Sequence, residues 1–194
     1  MVSYANGENV WERVIRMVEI MQSIRPKWCY EIISGAKDIE ARKTRPKCGT
    51  PFKVDIYCTK AKPSDVGKIP DVDCWSGKAI GEYVCDEIYT YQYLKEKGEY
   101  DRSYWFPDHK SKSCLSEEDL LTYGNGKTLY GWHISDLKIY DKPKDIREFK
   151  RVNRTEENTP CAHVKWLYEP CEKCKECNLT RAPQSWCYVQ RIWE

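Results

Sequence analysis

Apolar residues in this chain come in short runs that alternate with polar ones, and no uninterrupted apolar stretch exceeds a few residues. That rhythm favours short strands, because side chains of an extended chain point alternately to the two faces of a sheet. The cleanest case is Phe52 to Thr59, where Phe52, Val54, Ile56 and Cys58 fall on one side. Ala79 to Ile88 alternates too but changes phase near Gly81, where a bulge or bend is expected. Thr128 to Tyr140 reads as one strand through Leu129, Trp132, Ile134, Leu137, Ile139 and Tyr140, ended by Pro143. Ser185 to Trp193 reads as a last strand, able to close a sheet begun far upstream and so remove its exposed edges.

A few short helices fit around these strands. Val10, Trp11, Val14, Ile15 and Val18 have helical spacing, giving a helical extension over about residues 1–18. Alternation takes over from Glu19 to Ile24. Pro26 then suits the first turn of a second helix through Trp28, Tyr30, Ile32 and Ile33, and Gly35 suits its end. Ser116-Glu117-Glu118-Asp119 caps a third helix, closed near Gly124-Asn125-Gly126. Glu96 to Lys112 is rich in charge, Tyr and Trp without a period and reads as a long loop. The expected class is α+β: a mostly-β barrel with a few short helices and loop insertions, filling residues 1–194 as one domain.

Composition narrows the functional classes. The apolar runs fall far short of the roughly 20 residues needed to cross a bilayer, and Glu8, Glu12 and Glu19 interrupt any secretory leader. Eleven cysteines, an odd number, then favour thiols or metal ligands over a disulfide framework, which points to the cytoplasm. Lys and Arg total 32 against 30 for Asp and Glu, so a net charge of +2 supports a polyanion only where cations gather locally. They gather between Lys37 and Lys53, with Arg42, Lys43, Arg45 and Lys47, against Asp38 and Glu40.

The stretch Ser23-Ile24-Arg25-Pro26-Lys27-Trp28, followed by Gly35-Ala36-Lys37-Asp38-Ile39-Glu40-Ala41-Arg42, resembles the start of an ASCH domain, a member of the PUA-like β-barrel superfamily. Gly35, Lys37, Glu40 and Arg42 match that family's signature. Gly77 to Tyr83 looks like its central strand, Tyr130 to Ile134 like a late strand, and Arg181 to Val189 is similar to the ending of ASCH proteins often encoded by phages and prophages. The resemblance implies a pocket for RNA or a modified nucleotide, with Ser23, Arg25, Trp28, Lys37, Glu40, Arg42 and Trp132 as binding residues.

The residue chemistry agrees. An ammonium, a carboxylate and a guanidinium together can hold a phosphate and read a base edge, and Trp28, Trp132 and Tyr83 offer rings on which unstacked bases lie, or else form core. The family also includes hydrolases of an acyl amide on cytidine and reported ribonucleases. In that reading Lys37 and Glu40 do acid-base work, with Glu82 as second carboxylate and His133 assisting. Glu40 stands where the amidohydrolases carry a nucleophilic Thr, which counts against that reaction. An interaction adaptor with a vestigial pocket is a third reading.

A separate signal is Cys171-x-x-Cys174-x-x-Cys177 within a Cys-rich insertion at about residues 155–180. Three thiolates so close can fill most of a tetrahedral zinc shell, with Cys161, His163 or Cys187 as the fourth ligand. Such a closed site would be a structural staple. Free thiols and an iron-sulfur cluster are the alternatives.

Overall fold

A computed structural model of the chain describes residues 17–101, 112–152 and 178–192. The expected N-terminal helix as far as residue 16, the segment 102–111, and Cys161, His163 and the Cys171–Cys177 cluster lie outside these; Met17 and Val18 are not helical, and the alternation expected from Glu19 is a strand.

Eleven strands are described. A six-stranded sheet runs in the order β10 (Phe149–Arg151), β11 (Trp186–Arg191), β1 (Glu19–Ile24), β3 (Phe52–Cys58), β4 (Lys78–Cys85) and β9 (Ser135–Lys144). A three-stranded sheet runs β2 (Ile39–Arg42), β8 (Leu129–His133) and β5 (Ile88–Tyr91). A small hairpin pairs β6 (Tyr93–Leu94) with β7 (Glu99–Tyr100), so the front of the expected long loop is a strand with a buried Tyr100. Helices α1 (Pro26–Ile33), α2 (Val72–Trp75) and α3 (Glu117–Gly124) complete an α+β fold made mostly of sheet.

Local chemistry explains several of these elements. Pro26 opens α1, and Gly35 follows it at φ +76°, a left-handed backbone that suits a residue without a Cβ. Ser116 and Asp119 satisfy each other's backbone N–H in a capping box at the start of α3. The pairing of β3 with β4 skips Ile80, so a bulge lies beside Gly81 as expected. A Cβ on Gly81 would sit 2.5 Å from the Lys138 carbonyl oxygen, so only glycine lets β9 approach there.

Two expectations fail. Thr128 to Tyr140 is not one strand: it breaks at Ile134, sending β8 to the small sheet and β9 to the large one. β9 also continues through Pro143, because it is an edge strand with no neighbour to receive the missing N–H. The last strand does not close a barrel either. β11 pairs with β1 on one side and β10 on the other, which leaves β10 and β9 as open ends of the sheet.

The main apolar core lies between the two larger sheets and α1. Ile20 and Ile24 of β1, Phe52, Val54 and Ile56 of β3, Tyr83 of β4 and Trp132 of β8 meet there with Cys29 and Ile32 of α1. Met21, Tyr57, Phe149, Leu179, Cys187 and Val189 form a second cluster on the other face of the large sheet. No described helix is long and apolar enough to cross a membrane.

Candidate functional site

The turn after α1 leads directly into β2, so Lys37, Glu40 and Arg42 arrive together. Alternation along β2 turns Glu40 and Arg42 to one side, and all three residues are buried, Lys37 to 2% exposure. The Glu40 carboxylate bridges the two cations, with Oε2 3.4 Å from Lys37 Nζ and Oε1 3.1 Å from Arg42 Nη2. Lys37 Nζ also donates to the carbonyls of Ile39 (2.7 Å) and Ser113 (2.5 Å). Two of the three ammonium N–H bonds are thus given to carbonyls, and the Glu40 carboxylate supplies the opposite charge. Arg42 Nη2 donates to the Ser23 carbonyl at 2.8 Å, tying β2 to the end of β1.

One carboxylate between two cations leaves the group with an excess positive charge. Nearby donors share the imbalance. Gln22 is fully buried, and its Oε1 accepts from the Tyr83 hydroxyl at 2.9 Å, while its Nε2 has no acceptor among the described residues. Arg42 Nε and Trp132 Nε1 are likewise buried without one. Trp132 stands opposite Glu40 in the β2–β8 pairing, and Gln22 precedes the Ser23 carbonyl that Arg42 holds. Burial pushes the Tyr83 hydroxyl and the Cys29 thiol well above their ordinary values, with the Glu40 and Arg42 charges acting on both. Three buried N–H groups without an acceptor among the described residues are unusual, since such groups are paired in most proteins.

The other sequence candidates fall in different places. Trp28 on α1 is half-buried, with Lys27 Nζ 4.5 Å and Lys37 Nζ 5.2 Å from its ring centroid. Trp132 and Tyr83 are core rings: Trp132 packs edge-on to Phe52 at 5.3 Å and tilted against Trp186 at 5.9 Å. Arg25 is exposed at the head of α1, and the Ser23 hydroxyl donates to the Pro183 carbonyl. His133 points away from Glu40 along β8, and its Nδ1 lies 2.7 Å from Asp86 Oδ1.

Glu82 does not join Lys37 and Glu40. It lies on the opposite face of the large sheet, in a cluster that the sequence reading missed. There Arg191 of β11 reaches Asp55 of β3 through Nε (3.1 Å) and Nη2 (3.0 Å), and its Nη2 also contacts Glu82. The Tyr140 hydroxyl donates to Asp55 Oδ1 at 2.8 Å and Glu82 Oε2 at 3.3 Å. Asp55 is fully buried, and that burial raises its carboxyl to about 7 despite Arg191 and Tyr140. A polar residue on the outward phase of the β3 alternation was the only hint; its partners are Glu82, Tyr140 and Arg191, up to 136 positions away.

Of the suggested metal ligands, Cys187 is described: it sits in the second apolar cluster, and burial raises its thiol. Cys29, Cys48, Cys58, Cys74, Cys85, Cys114 and Cys187 form no disulfide. No group of three metal-ligating side chains occurs among the described residues.

No known family model matches the chain, nor does any curated protein. Among solved structures the chain is similar to ASCH from Zymomonas mobilis, at 19% identity over 66% of this chain and 73% of that one, with a TM-score of 0.47. A single-residue variant of that protein gives 18% identity over 67% and 75% of the two chains, with a TM-score of 0.48.

Proposed function

We propose that the Lys37–Glu40–Arg42 pocket binds a nucleotide of RNA, or a modified nucleotide, and that the protein is a binding module. The observation that carries this reading is the excess of donors. Among the described residues, Arg42 Nε, Gln22 Nε2 and Trp132 Nε1 are buried without acceptors beside a cluster with one more cation than anion. A ligand that supplies acceptors and negative charge would complete it, and nucleobase carbonyls, ring nitrogens and phosphate oxygens do both. In this reading Lys37 acts as a fixed strut for the pocket, and Arg42 and Glu40 face the ligand. The ASCH-like signature from Gly35 to Arg42 leads to the same ligand class.

The hydrolase reading gains less. Lys37 is buried and held by two carbonyls and the Glu40 carboxylate, and the second carboxylate that reading needs, Glu82, belongs to another cluster.

Fluorescence anisotropy of wild type and Arg42→Lys with labelled single-stranded RNA tests the proposal. Loss of the fork of the guanidinium is expected to weaken binding about tenfold or more, the worth of a buried charge-assisted hydrogen bond. Equal affinities would overturn the reading. RNA recovered shortened on a gel would replace it with hydrolysis.

A further inference from the structure

The chain leaves the cluster through Lys43-Thr44-Arg45-Pro46-Lys47, in which Pro46 alone is buried. Thr44 accepts a hydrogen bond on Oγ1 from Trp186 Nε1 at 2.9 Å. Lys43, Arg45 and Lys47 are exposed. Pro46 holds Arg45 extended, with bends at Lys43 and Lys47 on either side. The segment presents three exposed cations within five residues, and between Ala41 and Val54 the sequence has no carboxylate to neutralise them.

Aromatic rings back these cations. Lys43 Nζ lies 5.0 Å from the centroid of Tyr123 on α3, and the Arg45 guanidinium lies 5.6 Å from that of Tyr130 on β8. The backbone N–H of Lys47 donates to the Tyr188 hydroxyl at 3.1 Å, and Tyr188 packs edge-on to Trp186 at 5.5 Å. A solvated basic loop needs no such support. A ring under a cation limits its freedom in the free protein, which lowers the cost of binding a charged partner.

The geometry points to Lys43, Arg45 and Lys47 as a ledge that binds the backbone of a single-stranded nucleic acid whose neighbouring nucleotide occupies the Lys37–Glu40–Arg42 pocket. This rests on the proposed function for the pocket and adds the polymer. Phosphates meet the three cations, and an unstacked base can lie on the Arg45 guanidinium or on the half-exposed Tyr123 and Tyr130 rings. A duplex keeps its bases stacked and cannot use those surfaces.

The test measures anisotropy of a labelled twelve-nucleotide RNA of random sequence over a salt series with three proteins: wild type, Lys43→Gln/Arg45→Gln/Lys47→Gln, and Arg42→Lys. Each phosphate contact on a single strand adds about 0.7 to the slope of log affinity against log salt. The triple variant is expected to lose about 2 from that slope and at least tenfold in affinity at low salt, with unchanged thermal stability. Arg42→Lys is expected to weaken binding while keeping the slope within about one contact of wild type.

A triple variant with wild-type affinity and slope would overturn the ledge, and would leave the pocket standing if Arg42→Lys still weakened binding. The reverse pattern would keep the ledge and overturn the pocket. Wild type that leaves the oligomer free but is stabilised by a mixture of the four ribonucleoside monophosphates would overturn the ledge alone. A duplex of the same length binding as tightly as the single strand would overturn the single-strand assignment.

Discussion

The two faces of the large sheet each bury a charged cluster, and the two are opposite in sign. Lys37, Glu40 and Arg42 set two cations around one carboxylate, whereas Asp55, Glu82 and Arg191 set two carboxylates around one cation. Burying charge is costly unless it is matched; the exposed Lys138 ammonium, 3.9 Å from Glu82, brings the acidic cluster toward balance, whereas the basic cluster keeps one excess charge. Burial also raises the Asp55 carboxyl to about 7, and the Tyr140 hydroxyl, 2.8 Å from Asp55 and 3.3 Å from Glu82, has its one proton to share between them. The basic cluster keeps its excess and adds three N–H groups without an acceptor among the described residues, whereas in the acidic cluster it is an acceptor, Asp55 Oδ2, that lacks a partner among them. A buried site that cannot balance itself internally is suited to a ligand, and one that can is suited to holding strands together.

This contrast can be broken by experiment. The largest effect is expected for Arg191→Met, which leaves the buried Asp55 carboxylate without its cation and Glu82 with Lys138 alone. Chemical unfolding at pH 8 should show a loss of about 3–5 kcal/mol, and the loss should shrink at pH 5, where Asp55 holds its proton. A loss independent of pH would mean that Asp55 is not the group that titrates. Glu40→Gln is expected to cost somewhat less, about 3 kcal/mol, because its two cations keep carbonyl acceptors at Ile39, Ser113 and Ser23. RNA or a nucleotide should recover part of that loss if the pocket takes an anionic ligand.

Binding should separate the clusters further. Arg42→Lys is expected to weaken RNA binding about tenfold, and Arg191→Lys to leave it unchanged within twofold in the same anisotropy assay. Equal losses would put the ligand, or the damage, on both faces.

The clusters also differ in pH dependence. Asp55 titrates near 7 when folded and at about 3.8 when unfolded. Between those values the folded chain holds a proton that the unfolded chain has released. This contribution to stability is therefore full below about pH 4 and declines as pH rises through about 7. Unfolding measured from pH 5 to 8 should show wild type losing more stability than Asp55→Asn. Parallel curves would show that the Arg191 contacts keep Asp55 ionised.

Much of the fold was legible because its signals are local. The alternation of Phe52 to Cys58, the proline that opens α1, the glycine that ends it and the capping box of α3 act over a few residues, and each element formed where these placed it. The limits are equally physical. Ile134 shows no sequence mark of a strand changing sheets, and Pro143 ends a strand only where a neighbour needs its N–H.

By itself the sequence determined the basic cluster, because Lys37, Glu40 and Arg42 lie within one turn and one strand and period-two alternation sets Glu40 and Arg42 on the same side. Only the tertiary structure decided that Glu82 belongs elsewhere and that Asp55 and Arg191 meet. Strand order brings β11 beside β1, and β1 beside β3, and no local propensity encodes which distant strands become neighbours. The same step decided which donors were left buried without acceptors, since that depends on every chain segment packed around them.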